Sequence, residues 1–426
     1  MTKKILTLLV AWLLSTSVHA VNVVDEISEQ YVKLVLALGE HDPGYVDAYY
    51  GPKEWQEMAV AKKMDLTKII LVADNLQQLV KQQSANDEML KLRLNYLQVQ
   101  LSALHARAQM LNGKKLDFDQ QSLALYDTKA PHFKLSKFDT ILQALDELLP
   151  GDEPLIVKAK KFNDQFIIPK DKLSAVFDIA IKACRDRTRA FVELLENENF
   201  QLEFVTDKPW SGYNWYKGDS FSLIQVNTEY PIYISRAIDL GCHEGYPGHH
   251  TYNALLEANL VKKRGWKEFT VYPLFSPQSL IAEGSANYGI EMAFPGNEKF
   301  NFEKESLFPI AGIDPSLADS YQKYTKLANK LKYFGNELAR LYLNGQIDKS
   351  EAIKLIQKYT LVGAKKAAQR IDFWETYGAY VINYNWGKDM VKNWVESGKD
   401  QSPEARWKRF AKLLSTPRLP SSLNLD

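Results

Sequence analysis

The residues most able to do chemistry in this chain are clustered in Gly241-Cys242-His243-Glu244-Gly245-Tyr246-Pro247-Gly248-His249-His250. Of seven histidines, one stands at position 19, and three of the remaining six fall within eight residues here. Imidazoles this close together beside a carboxylate match the donor set of a zinc hydrolase, with nitrogen ligands for the metal and Glu244 as general base. Zn2+ is the expected cofactor. Manganese or cobalt also suit imidazole and carboxylate ligands.

The spacing makes a geometric demand. The common zinc helix carries histidines at i and i+4, and here that second position is Pro247. On an ideal helix His249 lies about 120° round and about 9 Å along from His243, and His250 about 10.5 Å along. Neither can share an ion with His243 unless the helix is distorted. Proline lacks the helical donor and glycine enters conformations closed to other residues, so the break is expected at 247–248. The competing readings are histidines that cap a broken helix, or that bind metal adventitiously at the surface.

His-Glu-x-x-Pro-Gly-His-His resembles the signature of a large bacterial family of unknown function regarded as zinc peptidases. That family is distantly similar to the helical metallopeptidases of the neurolysin and thermostable-carboxypeptidase groups. Ala282-Glu283-Gly284-Ser285-Ala286-Asn287-Tyr288 is similar to its Glu-Gly-Trp-Ala-x-Tyr segment, and Tyr384-Asn385-Trp386-Gly387 to its Tyr-Lys-x-Gly. The resemblance spans roughly 201–390. It implies His243, His249 and Glu283 as metal ligands, Glu244 as general base, and Tyr384 as hydrogen-bond donor to the oxyanion. It also implies a His250 that supports the ligands from behind or faces substrate, and a Tyr288 that lines the cleft. Ser285 and Asn385 depart from the family's tryptophan and lysine, and Gly378-Ala379-Tyr380-Val381 stands where Pro-Gly-Gln-Ala is expected. These departures bear on the substrate pocket and on Tyr384. Glu291 is the alternative third ligand.

The positioning elements read as mainly α, a large helical metallopeptidase-like fold with a small β hairpin or sheet beside the metal-binding helix. Apolar periodicity predicts helices over 23–38, 66–82, 87–111, 170–197, 251–263, 278–293, 316–344, 349–361 and 402–415. Another is expected from Ser136, opened by a near capping box and closed at Pro150-Gly151. Residues 201–205 and 220–227 read as strands, with Pro231 in the first turn of the helix that carries His243. The second strand would offer an edge to substrate backbone, with Asn227 in contact. Residues 21–200 form an N-terminal helical region and 201–426 the zinc-binding region, interlocked as one unit.

With 426 residues, 46% hydrophobic and 25% charged, the composition is that of a globular protein. A net charge of +1 gives no field toward nucleic acid. Residues 1–20 have the three-part pattern of a secretory signal cleaved after Ala20, which implies a periplasmic or secreted protein without stable membrane insertion. Two cysteines, Cys184 and Cys242, cannot frame a fold of this size, and a free, buried Cys242 is the expectation. The expected activity is cleavage of peptide bonds, with another small acyl substrate as the second enzymatic reading. A non-catalytic exported binding or scaffold protein with a vestigial metal site is the third.

Overall fold

The computed structural model describes residues 23–208 and 210–423, so the expected signal over 1–20 lies outside the described residues. The fold is mainly α, with one sheet of two strands and one of three. No helix among the described residues is long and apolar enough to cross a membrane.

The first part of the chain runs through helix α1 (23–39), strand β1 (Val46–Tyr49), and helices α2 (Lys53–Lys62), α3 (Leu66–Lys81), α4 (Glu88–Leu111) and α5 (Phe118–Tyr126). Short polar side chains set several starts: Asp65, Asp87 and Asp117 each accept from the backbone N–H three residues on. Helices α6 (Ser136–Leu148), α7 (Leu155–Asp164) and α8 (Leu173–Arg189) follow. The expected cap at Ser136 is absent: Leu135 holds the cap position and Ser136 is already helical. The run expected to reach 197 stops at Arg189. The chain turns back there, so that Glu198 accepts from Arg185 Nε at 2.9 Å.

Strands β2 (Asn199–Val205), β3 (Gly212–Gly218) and β4 (Phe221–Asn227) form the larger sheet in the order β2-β4-β3, parallel then antiparallel. The aromatic segment between the two expected strands is thus a third strand. Strand β4 is covered on both edges, so the edge offered beside the site belongs to β3. The inner face of β4, Ile224 and Val226, packs on Phe177, Ile181 and Leu240. The helix leading to His243, α9 (Ser235–Leu240), starts after Pro231 rather than around it. Residues 232–234 are held against 166–168, with Ile168 N–H donating to Ile232 at 2.8 Å and Ile234 N–H to Phe166 at 2.8 Å.

Beyond α10 (His249–Leu256) come β5 (Val271–Pro273), paired with β1, and α11 (Pro277–Ala293). Helices α12 (Glu298–Phe302), α13 (Phe308–Ala311), α14 (Ala318–Asn329) and α15 (Phe334–Leu343) lead to α16 (Lys349–Thr360). The single helix expected over 316–344 is thus two. Helices α17 (Ala364–Tyr377), α18 (Ile382–Glu396) and α19 (Pro403–Leu414) complete the fold. The cores of α11 and α18 touch backbone to backbone, because a Cβ on Gly284 would lie 2.4 Å from Gly387 O and one on Gly387 2.8 Å from Leu280 O. Two glycines thereby bring the Glu283 helix against the Tyr384 helix.

Cys242 is not free. It is disulfide-bonded to Cys184 on α8, with Cα atoms 5.4 Å apart, which ties the residue before His243 to a neighbouring helix. Closing a loop with a sequence separation of 58 stabilises a fold by about 2–4 kcal/mol. Replacing both cysteines with serine is expected to lower the unfolding free energy by that amount in urea titration. An unchanged midpoint would show the bond to be energetically idle.

Candidate metal centre

Helix α9 widens into a π-type turn over Gly241–Gly245 and ends at Tyr246; α10 begins at His249 with Gly248 at its cap. The break demanded at 247–248 is present, and Gly248 makes it feasible: a Cβ there would lie 1.8 Å from His243 O. The reversal brings His249 Nε2 to 3.1 Å from His243 Nε2. From α11, Glu283 Oε2 stands 3.2 Å from His243 Nε2 and 3.8 Å from His249 Nε2.

These three atoms form a triangle with edges of 3.1, 3.2 and 3.8 Å. Ligand atoms bound tetrahedrally at about 2.0–2.1 Å stand about 3.3–3.4 Å apart, so the donor set fits a zinc ion. Glu283 Oε2 is also buried with no hydrogen-bond partner of proper geometry, despite its nearness to both imidazoles. A buried carboxylate oxygen in that state is costly unless a cation takes it. The other oxygen, Oε1, accepts from Tyr380 Oη at 2.8 Å, which fixes the carboxylate's orientation.

The two imidazoles are poised differently, and the carboxylate is kept ionised. Burial pushes the His249 imidazole down to about 4, leaving it in the neutral, metal-binding form. Burial would lower His243 too, but Glu283 and Glu244 outweigh it and hold it raised. Burial would raise Glu283, but His243, His249 and Tyr380 keep it low and ionised.

Glu244 is buried, and one of its carboxylate oxygens and a ring nitrogen each of His243 and His249 all lie within 4.8 Å of one another. Glu244 could therefore serve beside the metal as a base, with Glu283 as the third ligand. Burial pushes it up to about 7, with His243 opposing and Glu283 adding. Strand β3 crosses directly over it. Asn214 Nδ2 donates to the Glu244 carbonyl at 2.7 Å, and a Cβ on Gly212 would lie 3.0 Å from Glu244 Oε1.

Tyr384 stands in the same cleft. Burial raises its hydroxyl well above the usual range, with the charges of Glu283 and Glu244 adding, so it remains a donor. Its ring packs against Tyr380 at 5.8 Å and Phe373 at 6.4 Å.

Three other expected site residues are placed elsewhere. Asn227 spends its amide on the backbone, donating to Lys208 and Trp210 carbonyls at 2.8 and 3.1 Å and accepting from Glu229 at 2.9 Å. His250 points away from the ligands; its Nδ1 meets Ser222 Oγ at 2.8 Å and its Nε2 Glu198 Oε2 at 3.1 Å. Tyr288 faces α18 and α19 rather than the cleft, donating to Glu396 and accepting from Arg406, both at 2.9 Å. Glu291, the alternative ligand, is paired with Lys388 and with Lys392 at 2.9 Å.

Sequence reading missed Tyr380, Asn214 and Asp47. Asp47, on β1, accepts from Tyr213 Oη. Burial pushes it up to about 7 against that hydrogen bond, and Glu283 adds. The tyrosine-dense run 45–50 was the available signal for that wall.

No family model matches the sequence, and no curated protein does. Among solved structures, the chain is similar to a "putative lipoprotein" of Colwellia psychrerythraea, with TM-score 0.52, 12% identity, and coverage of 84% of this chain and 68% of that one. A second, of unknown function from Shewanella oneidensis and also titled a "putative lipoprotein", gives TM-score 0.45, 13% identity, and 85% and 79% coverage. The first likeness is one of fold.

Proposed function

We propose that this protein is an exported zinc-dependent hydrolase that cleaves peptide bonds. The observation that carries the reading is the convergence of His243 Nε2, His249 Nε2 and Glu283 Oε2, with Glu244 buried alongside. Zinc held by those three side chains would supply Lewis-acid polarisation and a more acidic water. Glu244 takes a proton from the attacking water, whose oxygen bonds to the carbonyl carbon. As the C–N bond breaks, Glu244 returns the proton to the amine nitrogen. Tyr384 donates a hydrogen bond to the oxygen on which charge develops. Three protein ligands rather than four, and none of them cysteine, favour a catalytic over a structural site.

Export is supported by the three-part pattern of residues 1–20, by a disulfide suited to an oxidising compartment, and by the name of the Colwellia neighbour.

The test is hydrolysis of a mixed peptide library that includes both free and blocked termini, read by mass spectrometry. Cleavage is expected with the zinc-loaded protein, lost on dialysis against a chelator and restored by one equivalent of zinc. Cleavage that survives the chelator, or none in any state, would overturn the reading.

A further inference from the structure

The metal centre depends on the reversal over Pro247, Gly248 and His249 that turns His249 back toward His243. Its backbone is pinned by Gly248 N–H donating to Cys242 O at 3.0 Å. The two residues that bracket it, Tyr246 and His250, are both fastened to Glu198. Tyr246 Oη donates to Glu198 Oε2, and His250 Nε2 meets the same oxygen at 3.1 Å. An ionised carboxylate only accepts, so Nε2 is the donor. Two residues beyond Glu198, the ring of Phe200 packs on both, with centroids 5.4 Å from Tyr246 and 5.5 Å from His250. Ser222 Oγ stands 2.8 Å from the other ring nitrogen of His250.

Glu198 is buried just ahead of β2, and its second oxygen is committed to α8. Oε1 accepts from Arg185 Nε at 2.9 Å and also from Arg185 Nη2. Arg185 follows Cys184, whose disulfide holds Cys242, the residue before His243. Consecutive residues of α8 thus secure both metal histidines, His243 through the disulfide and His249 through Arg185 and Glu198. The task requires a carboxylate, which accepts on both oxygens, whereas an amide accepts on one side and donates from the other. Donors face Glu198 on both sides. Glutamine there must turn an N–H toward either Arg185 or the Tyr246 and His250 pair.

We propose that Glu198 is a positioning residue for the metal centre. By taking Tyr246 and His250 on one oxygen and Arg185 on the other, it holds the reversal closed, so that His249 faces His243 before a metal arrives. The inference rests on the zinc site of the proposed hydrolase and deepens it, because Glu198 acts through Tyr246 and His250 rather than on the metal. Without this clamp, zinc itself must order the turn, and the cost of ordering appears as weaker binding. Partners that orient ligands from behind typically carry about 10–100-fold in metal affinity.

The test is zinc titration of the full chain against a chromophoric chelator, with folding checked by near-ultraviolet circular dichroism. Glu198→Gln is expected to raise the zinc dissociation constant about 10–100-fold. Tyr246→Phe keeps the ring on Phe200 and removes one donor, and is expected to raise it about tenfold; it decides the matter if Glu198→Gln does not fold. In both variants, saturation with cobalt is expected to give visible bands shifted from wild type, because those bands follow ligand geometry. Glu268→Gln is the control. It also alters a buried carboxylate held by an arginine, Arg93 at 2.6 Å, but one bonded to Ser28 rather than to the reversal, and wild-type affinity is expected. Wild-type affinity in either test variant, wild-type cobalt bands in both, or an equal loss in Glu268→Gln would overturn the clamp and leave the zinc site standing. A wild-type protein that binds no zinc would remove both.

Discussion

Glu244→Gln is expected to keep the metal and lose the reaction. The amide has almost the shape of the carboxylate, and the ligand triangle of His243, His249 and Glu283 does not include it. What disappears is the acceptor for the water's proton and the donor to the leaving amine. A positioned acid–base group contributes about 10²–10⁴-fold, so kcat/KM should fall within that range while zinc stays near one equivalent. Burial leaves Glu244 enclosed between strand β3 and the ligands, where bulk water is a poor substitute. Full activity in the variant would remove Glu244 from the chemistry.

The second large effect is expected at Gly248, whose role is steric. An added Cβ would sit 1.8 Å from His243 O and 2.4 Å from Cys242 O, and both obstacles are backbone rather than yielding side chains. Gly248→Ala must therefore move either the turn or α10, and both carry ligands. Losses of this kind belong among the exceptional single substitutions, above about 4 kcal/mol. If the chain still folds, the separation of the two imidazoles should widen and zinc affinity fall. Calorimetric zinc titration alongside thermal unfolding separates the two results. Wild-type values in both would mean that the reversal does not depend on glycine.

How much of this was legible in the sequence varies from residue to residue. The motif required a broken helix between His243 and His249, and the break lies where proline and glycine stand. Glu283 was separable from Glu291 only by the resemblance. In the fold, the lysines of α18 occupy Glu291, a contact about 100 residues away that no local pattern encodes. Strand β3 reads locally as turn because of its glycines, but pairing with β4 decides it. Helices α17 and α18 are not among the helices that apolar periodicity predicts. Tyr380 falls in the segment where the chain departs from the family pattern, so nothing marked it as the partner of Glu283. The disulfide depends on α8 lying beside the metal-bearing turn, which is a fact of packing. Asn227 was expected from the strand edge before the motif, and His250 and Tyr288 from the resemblance. Their side chains turn out to be committed to a loop, a buried hydrogen bond and a helix contact.

The most direct measurement is the zinc content of the purified protein by elemental analysis, wild type beside His243→Ala. About one zinc per wild-type chain and none in the variant is the expected result. A wild-type protein that neither carries zinc nor takes it up at micromolar concentration would contradict the metal centre, and with it the proposed hydrolase.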